Sequence, residues 1–385
     1  MGPLNDLMVV ELGGIGPGPM AAMLLADLGA NVLRIERPEP AGLGVPRPPR
    51  YDLLLRNRPH IPLDLKNPDA VAMLLDMVER ADVLIEGFRP GVCERLGLGP
   101  DVCMERNPRL IYGRMTGWGQ SGPMAQEVGH DLNYLALTGV ISAIGRKGQA
   151  PAIPLNLVGD FGGGTLYLIM GILAALHERS NSGLGQIVDA AIIDGVASMM
   201  TQPMGSYAAG VMRLERGTNP TDSGAPFYDV YECSDGQWIT LAAVEKKFYA
   251  EALSILELEE WLEFQWDRDR WPDAKTAIAS KFVQRTRDQW CKLFEGREAC
   301  FAPVLDLAEA PLHPHHQARG TYLEVDEIPQ PAPAPRFSRT PAAIPKPRGA
   351  WSIDQTHNVL ANWLESSRID KALSSGLLKV SQPPT

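Results

Sequence analysis

His130 and Asp160 are the two side chains whose types suit moving a proton to and from a substrate. His130 stands within Gly129-His130-Asp131, and Asp160 closes the run Pro154-Leu155-Asn156-Leu157-Val158-Gly159-Asp160, ahead of Phe161 and three glycines. A histidine and a carboxylate can face each other across a small substrate, one donating a proton while the other accepts one. Each residue also has a plainer reading: a hydrogen-bonded structural histidine, and a carboxylate that caps a helix. Sequence spacing decides between neither pair. Around Asp160, Gly162 to Gly164 would let a ligand come close to the backbone, and the start of a helix would favour negative charge.

The elements that must carry these residues alternate. Met8 to Leu12 reads as a strand, Gly13 to Gly18 as a glycine-rich turn, Pro19 to Leu28 as a helix and Val32 to Ile35 as a second strand. A dinucleotide fingerprint is not met, because Gly14, Gly16 and Gly18 have the wrong spacing and Pro17 and Pro19 remove NH groups. Asp69 to Arg80 then reads as an amphipathic helix, and Ala81 to Glu86 and Leu110 to Met115 as strands. Thr116 to Pro123 is a loop, and a helix containing Leu132 to Leu137 puts His130 on a loop-to-helix junction, where scaffolds present functional groups. Gln186 to Ala191 is a further strand, and Ile192 to Met212 one long apolar helix leaving the first domain. Phe227 to Cys233 and Trp238 to Val244 form a hairpin around Ser234-Asp235-Gly236, with Glu245 at its end and a helix from Lys246. Residues from there to Cys300 read as helical. The proline-rich stretch Pro311 to Pro347 is expected to be extended, and a last helix, Ile353 to Ser366, to pack on the first domain.

Composition narrows the classes. A chain of 385 residues with 45% hydrophobic content fits two globular domains, and a net charge of -10 argues against nucleic acid as a partner. Residues 34 to 66 nevertheless hold seven basic side chains (Arg34, Arg37, Arg47, Arg50, Arg56, Arg58, Lys66) against four acidic ones, so a small phosphorylated ligand or a solvated basic surface are both open. Five cysteines without a CxxC pair fit reduced thiols in the cytoplasm. Phe161 to Leu176 reads as too short for a membrane span, no secretory leader is recognisable, and Ser381 to Thr385 is not a peroxisomal address. His313-Pro314-His315-His316 lacks the partners of a metal site, so no metal is expected.

Several longer runs carry a resemblance. Val9-Val10-Glu11-Leu12, Gly16-Pro17-Gly18-Pro19, Glu86-Gly87-Phe88-Arg89-Pro90-Gly91, Met115-Thr116-Gly117-Trp118-Gly119-Gln120, Gly129 to Tyr134, Pro154 to Gly164, Gly224-Ala225-Pro226-Phe227-Tyr228 and Pro335 to Thr340 together resemble the α-methylacyl-CoA racemases of the family III CoA-transferase superfamily. The resemblance implies an α/β fold: an open twisted Rossmann-like large domain over residues 1–190, completed by 320–385, a linker over 191–223 and a small α+β domain over 224–319, in an interlocked homodimer. It implies racemisation of 2-methyl-branched acyl-CoA thioesters in lipid metabolism, with CoA as part of the substrate and no separate cofactor. His130 and Asp160 would be the two bases, Glu245 the support of the histidine and the Asp131 amide the donor to the enolate oxygen. Ile15, Arg37, Leu63, Lys66, Arg89 and Arg95 would bind CoA, and the site would combine the large domain of one chain with the small domain of the other. Where many members read Gly-Ala-Ile-Glu-Pro-Gln-Phe-Tyr, this chain has Ala242-Ala243-Val244-Glu245-Lys246-Lys247-Phe248-Tyr249, which changes the charge beside Glu245. The rival within the superfamily is a CoA-transferase in which Asp160 attacks the thioester as a nucleophile.

Overall fold

Strands β1 (Met8–Leu12), β2 (Asn31–Glu36), β3 (His60–Pro62), β4 (Val83–Glu86), β5 (Ile111–Thr116) and β6 (Ile187–Ala191) form one sheet in the order β3-β2-β1-β4-β5-β6, every pair parallel. The computed structural model describes residues 2–39, 42–348 and 353–378; the C-terminal address read at Ser381 to Thr385 lies outside them. Val9, Val10, Leu33, Val83, Leu84, Ile111 and Tyr112 are buried, as expected of parallel strands with helices on both faces. The strand order reverses between β1 and β4, and ligands of such sheets bind beyond the carboxyl ends of the strands at that reversal.

The helix Pro68–Val78 shows how the sequence builds this layer. Asn67 caps it by accepting the Asp69 amide at 2.9 Å, Pro68 occupies its first position, and Ala70, Met73, Leu74, Met77 and Val78 fall on one buried face. That face joins a core containing Leu33, Ile61, Leu84 and Tyr112, which the C-terminal Leu360, Trp363, Leu364 and Ile369 complete. Each fully buried large apolar side chain contributes roughly 1.5–3 kcal/mol.

The chain forms two compact units. The first contains the residues up to Leu137, Leu155–Met199 and the residues from His315 onward; the second contains Thr138–Pro154 and Met200–Pro314. In the second, β7 (Tyr228–Glu232), β8 (Trp238–Ala242) and β9 (Phe301–Pro303) make an antiparallel sheet. It packs with the helices Lys246–Leu256, Trp271–Phe282 and Arg287–Phe294 around Phe227, Tyr231, Trp271, Phe282 and Trp290.

Several elements differ from the sequence expectation. Ile192 to Met212 is two helices, Ile192–Met199 and Thr201–Ala208. The last helix is also two, Ile353–Leu360 and Ser366–Ser374. The proline-rich stretch contains a helix, Pro314–Arg319, and a hairpin of β10 (Tyr322–Val325) and β11 (Ile328–Pro331). Its turn is Asp326-Glu327, both at positive φ (53° and 62°), a conformation the sequence does not announce without a glycine.

Candidate active site

Asp160 lies in the first turns of a helix that runs continuously over Leu157–Ser182, 26 residues, longer than the sequence pattern indicates and long and apolar enough by length and composition to cross a membrane. Its inner side packs on the helices Pro17–Asp27 and Ile192–Met199. The segment Leu157–Leu166 is π-wound, as in the 3.2 Å bond from the Phe161 amide to the Asn156 carbonyl, five residues back. Such windings are rare and concentrate at functional sites.

The glycines after Asp160 have a different role from the one their sequence suggests. A side chain at Gly163 would strike Val196, one at Gly164 would meet Ile192, Pro17 and Met115, and one at Gly195 would overlap the Gly163 carbonyl. These glycines admit the neighbouring helices, not a ligand. Thr165 Oγ1 donates to the Pro17 carbonyl at 2.9 Å, which joins the Asp160 helix to the glycine-rich loop after β1. In that loop Gly16 has φ +71°, and a Cβ there would sit 3.1 Å from Asp160 Oδ2. The carboxylate therefore borders the loop at the sheet's reversal point.

His130 lies on the junction expected for it, ahead of the helix Asp131–Leu137, and its side chain is exposed. Its carbonyl accepts the Asn133 amide at 2.8 Å, and its own amide donates to Asn133 Oδ1 at 3.0 Å. One residue earlier, Gly129 fits against Trp118 and Tyr134, whose rings meet edge to face at 4.7 Å. The Tyr134 hydroxyl donates to the Gly129 carbonyl. Backbone and aromatic contacts on three sides thus fix where His130 begins.

Asp131 links the two segments. Its Oδ1 accepts the Asp160 amide at 2.6 Å, and the Gly159 amide also points at this carboxylate. A Cβ at Gly159 would overlap Asp131 Oδ1, so a larger residue there must displace the carboxylate. Burial lifts the Asp160 carboxyl to about 6, the Asp131 carboxylate adds to the lift, and Asn156 and His130 oppose it. Burial likewise raises the Asp131 carboxyl, against the pull of the two amides. The Asp131 amide, at the first position of its helix, donates no hydrogen bond among those of the described residues. His130, Asp131 and Asp160 are thus brought together within one unit. Glu245 belongs to the second unit, where it precedes the helix Lys246–Leu256 with an exposed side chain that caps nothing.

The local basic excess proves largely structural. Glu11, fully buried on β1, pairs with Arg34 and, at 3.1 Å, with Arg58. Arg34 also bonds Glu36 at 2.8 Å, Arg56 holds buried Asp27, and Arg50 pairs with Asp326 at 3.0 Å. Sequence alone could not assign these partners, because they come from neighbouring strands and from residues hundreds of positions away. Arg37, Arg47, Lys66, Arg89 and Arg95 are exposed, and among the described residues none forms an ion pair. Of the residues expected to bind CoA, Ile15, Arg37, Lys66 and Arg89 stand in loops after the carboxyl ends of β1, β2, β3 and β4. Arg95 ends a short helix, Val92–Arg95, after the last of these loops. Leu63 is different: the residue is 1% exposed, its side chain belongs to the core and its amide donates to the Glu36 carbonyl at 2.8 Å, so it offers a ligand almost no surface. Two ion pairs of Arg114 on β5 escaped sequence reasoning, the buried one with Glu86 of β4 at 2.9 Å and one with the exposed Glu94 of the short helix at 2.8 Å. Among the described residues no three His, Cys, Asp or Glu side chains are grouped to hold a metal.

The chain is similar to known proteins in sequence and in fold. The sequence profile of CoA-transferase family III matches residues 4–350. The chain is 42% identical to the α-methylacyl-CoA racemase of Mus musculus over 94% of its length and 93% of the relative's. It is 39% identical to the α-methylacyl-CoA racemase of Homo sapiens over 98% and 99%. The fold matches that of a CAIB/BAIF family protein from Brucella suis with a TM-score of 0.81 at 24% identity, covering 94% of this chain and 100% of that one.

Proposed function

We propose that this chain, which belongs to CoA-transferase family III, is an isomerase that interconverts the 2R and 2S forms of 2-methyl-branched acyl-CoA thioesters. The observation that carries the reading is the pairing of His130 with Asp160, joined through Asp131 within one unit, in a chain so similar to two named racemases. The thioester carbonyl acidifies the neighbouring C–H. One base takes that proton, the C–H electron pair moves into the C1–C2 bond, and negative charge passes to the carbonyl oxygen. The conjugate acid of the other base then protonates C2 on the opposite face, and solvent restores both residues. His130 serves one face and Asp160 the other, and a carboxyl held near pH 6 can act in either direction near neutrality. The unpartnered Asp131 amide would receive the enolate oxygen. This chemistry calls for no metal and no electron carrier.

Arg37, Lys66, Arg89 and Arg95, exposed cations around the carboxyl edge of the sheet, would hold the phosphates of CoA, with Ile15 against the nucleotide. We further propose a homodimer. Leu166, Met170 and Leu173 form an exposed apolar stripe on one face of the Leu157–Ser182 helix, 56%, 59% and 38% exposed, and a second copy would cover it. That copy would also supply Glu245 to His130. A cytoplasmic enzyme of lipid metabolism agrees with the five free cysteines.

Solvent deuterium decides the reaction. Incubation with a 2-methylacyl-CoA in deuterium oxide should label the 2-position during inversion, and His130→Ala should reduce racemisation about a hundredfold. Transfer of CoA to a free carboxylic acid without labelling would instead make Asp160 a nucleophile and sink the racemase assignment.

A further inference from the structure

Between His130 and Asp160 the chain passes through Thr138–Pro154, which belongs to the second unit, so covalent connection does not set the distance between the two bases. A shorter link does. Asp131 directly follows His130, and its Oδ1 accepts the Asp160 amide at 2.6 Å and lies so close to Gly159 that a Cβ there would overlap it. These two amides fall in the first turn of the Leu157–Ser182 helix, where backbone donors lack intrahelical acceptors. The acceptor thus comes from a different segment. Its second oxygen, Oδ2, is buried and has no hydrogen-bond partner, an acceptor taken from water without compensation.

We propose that the Asp131 side chain is the positioning residue of the proton-transfer pair, clamping the start of the Asp160 helix to the residue after His130 so that both bases are held at a fixed separation across the substrate carbon. The inference rests on the racemase reading and adds a carboxylate whose side chain touches no reacting atom. The same charge also acts on Asp160 through space, raising its affinity for a proton behind the larger effect of burial. The other groups facing Asp160 are His130 and Tyr134 from the Asp131 segment and Asn156, whose Nδ2 is 3.5 Å from Asp160 Oδ2; Gly16 approaches from the loop after β1.

Two variants separate clamp from charge. Asp131→Asn keeps an acceptor oxygen and removes the charge, whereas Asp131→Ala removes both. Hydrogen exchange of the substrate-free protein should show the segment 157–161 deprotected in Asp131→Ala and near wild type in Asp131→Asn. In racemisation, Asp131→Ala should lower kcat about tenfold to a hundredfold with KM changed less than about threefold. Asp131→Asn should retain more of kcat but move the pH profile. For the enantiomer deprotonated by Asp160 the acid limb shifts to lower pH, and for the opposite enantiomer the alkaline limb shifts the same way, because Asp160 loses a neighbouring negative charge. Unchanged exchange in Asp131→Ala, or unmoved limbs in a folded Asp131→Asn, overturns the proposal. A wild-type protein that never labels the 2-position would refute the racemase reading, while the exchange comparison would still test the clamp.

Discussion

Asp160 carries its proton up to about pH 6 because the fold buries it, and that has a cost opposite in sign to the usual carboxylate. An unfolded aspartate releases its proton near pH 4. Between about pH 4 and 6 the native state therefore binds more protons than the unfolded one, so stability falls as pH rises through this window and the penalty stays constant above it. Asp160→Asn cannot ionise. It should unfold at a higher temperature than wild type at pH 8, with the gain gone below pH 4, even though racemisation is lost; an equal difference at both pH values would show that burial is not the cause. The arginines make a second residue-scale contrast. Arg37→Ala should raise KM for an acyl-CoA about tenfold with kcat within about twofold, whereas Arg58→Ala leaves buried Glu11 with Arg34 alone and should cost about 1–3 kcal/mol in denaturant unfolding. The sequence shows both as members of one basic run. The positions of His130 and Asp160 in the fold were legible because their signals are local, a loop-to-helix junction and a turn into a helix. Which arginines are free was not, since Glu11 reaches Arg34 across two strands and Asp27 reaches Arg56 from a helix.

At the scale of elements, the crossing of the Leu157–Ser182 helix with Ile192–Met199 sets where Asp160 stands. Gly195 presents its Cα to the Gly163 carbonyl with no room for a methyl group. Gly195→Ala must push the helices apart and should cost about 1–3 kcal/mol. Activity should suffer more than stability, because the displaced turn carries Asp160. Thermal unfolding and kcat measured on the same preparation test this; a full loss of stability with kcat intact in the remaining folded enzyme would contradict it. The alternation of strands and helices was readable from apolar periodicity, and the glycine run at 162–164 was readable as a close approach. What approaches was hidden, because a glycine reports that backbone comes near something and not whether that something is a ligand or another helix. The π winding has no sequence signature here, and the β10–β11 turn formed at Asp326-Glu327 where no glycine marks it.

For the whole molecule, the exposed stripe Leu166, Met170, Leu173 is the surface that the proposed homodimer would cover. Sedimentation of wild type should give twice the chain mass, and the double variant Leu166→Asp, Met170→Asp should give the single mass; a fully active wild-type monomer would count against the homodimer. The division into units also bears on biosynthesis. The second unit is built chiefly from one continuous stretch, Met200–Pro314, whereas the core of the first unit takes Leu360, Trp363, Leu364 and Ile369 from near the end of the chain. On a ribosome that releases residues in order, the part begun last is the part able to close early. The first unit, which contains His130 and Asp160, must wait, with Met73, Leu74 and Tyr112 uncovered, until the final helices emerge. A nascent chain of this protein is then exposed to aggregation longest at its first unit, and a chaperone that shields apolar surface would be needed there and not at the smaller unit.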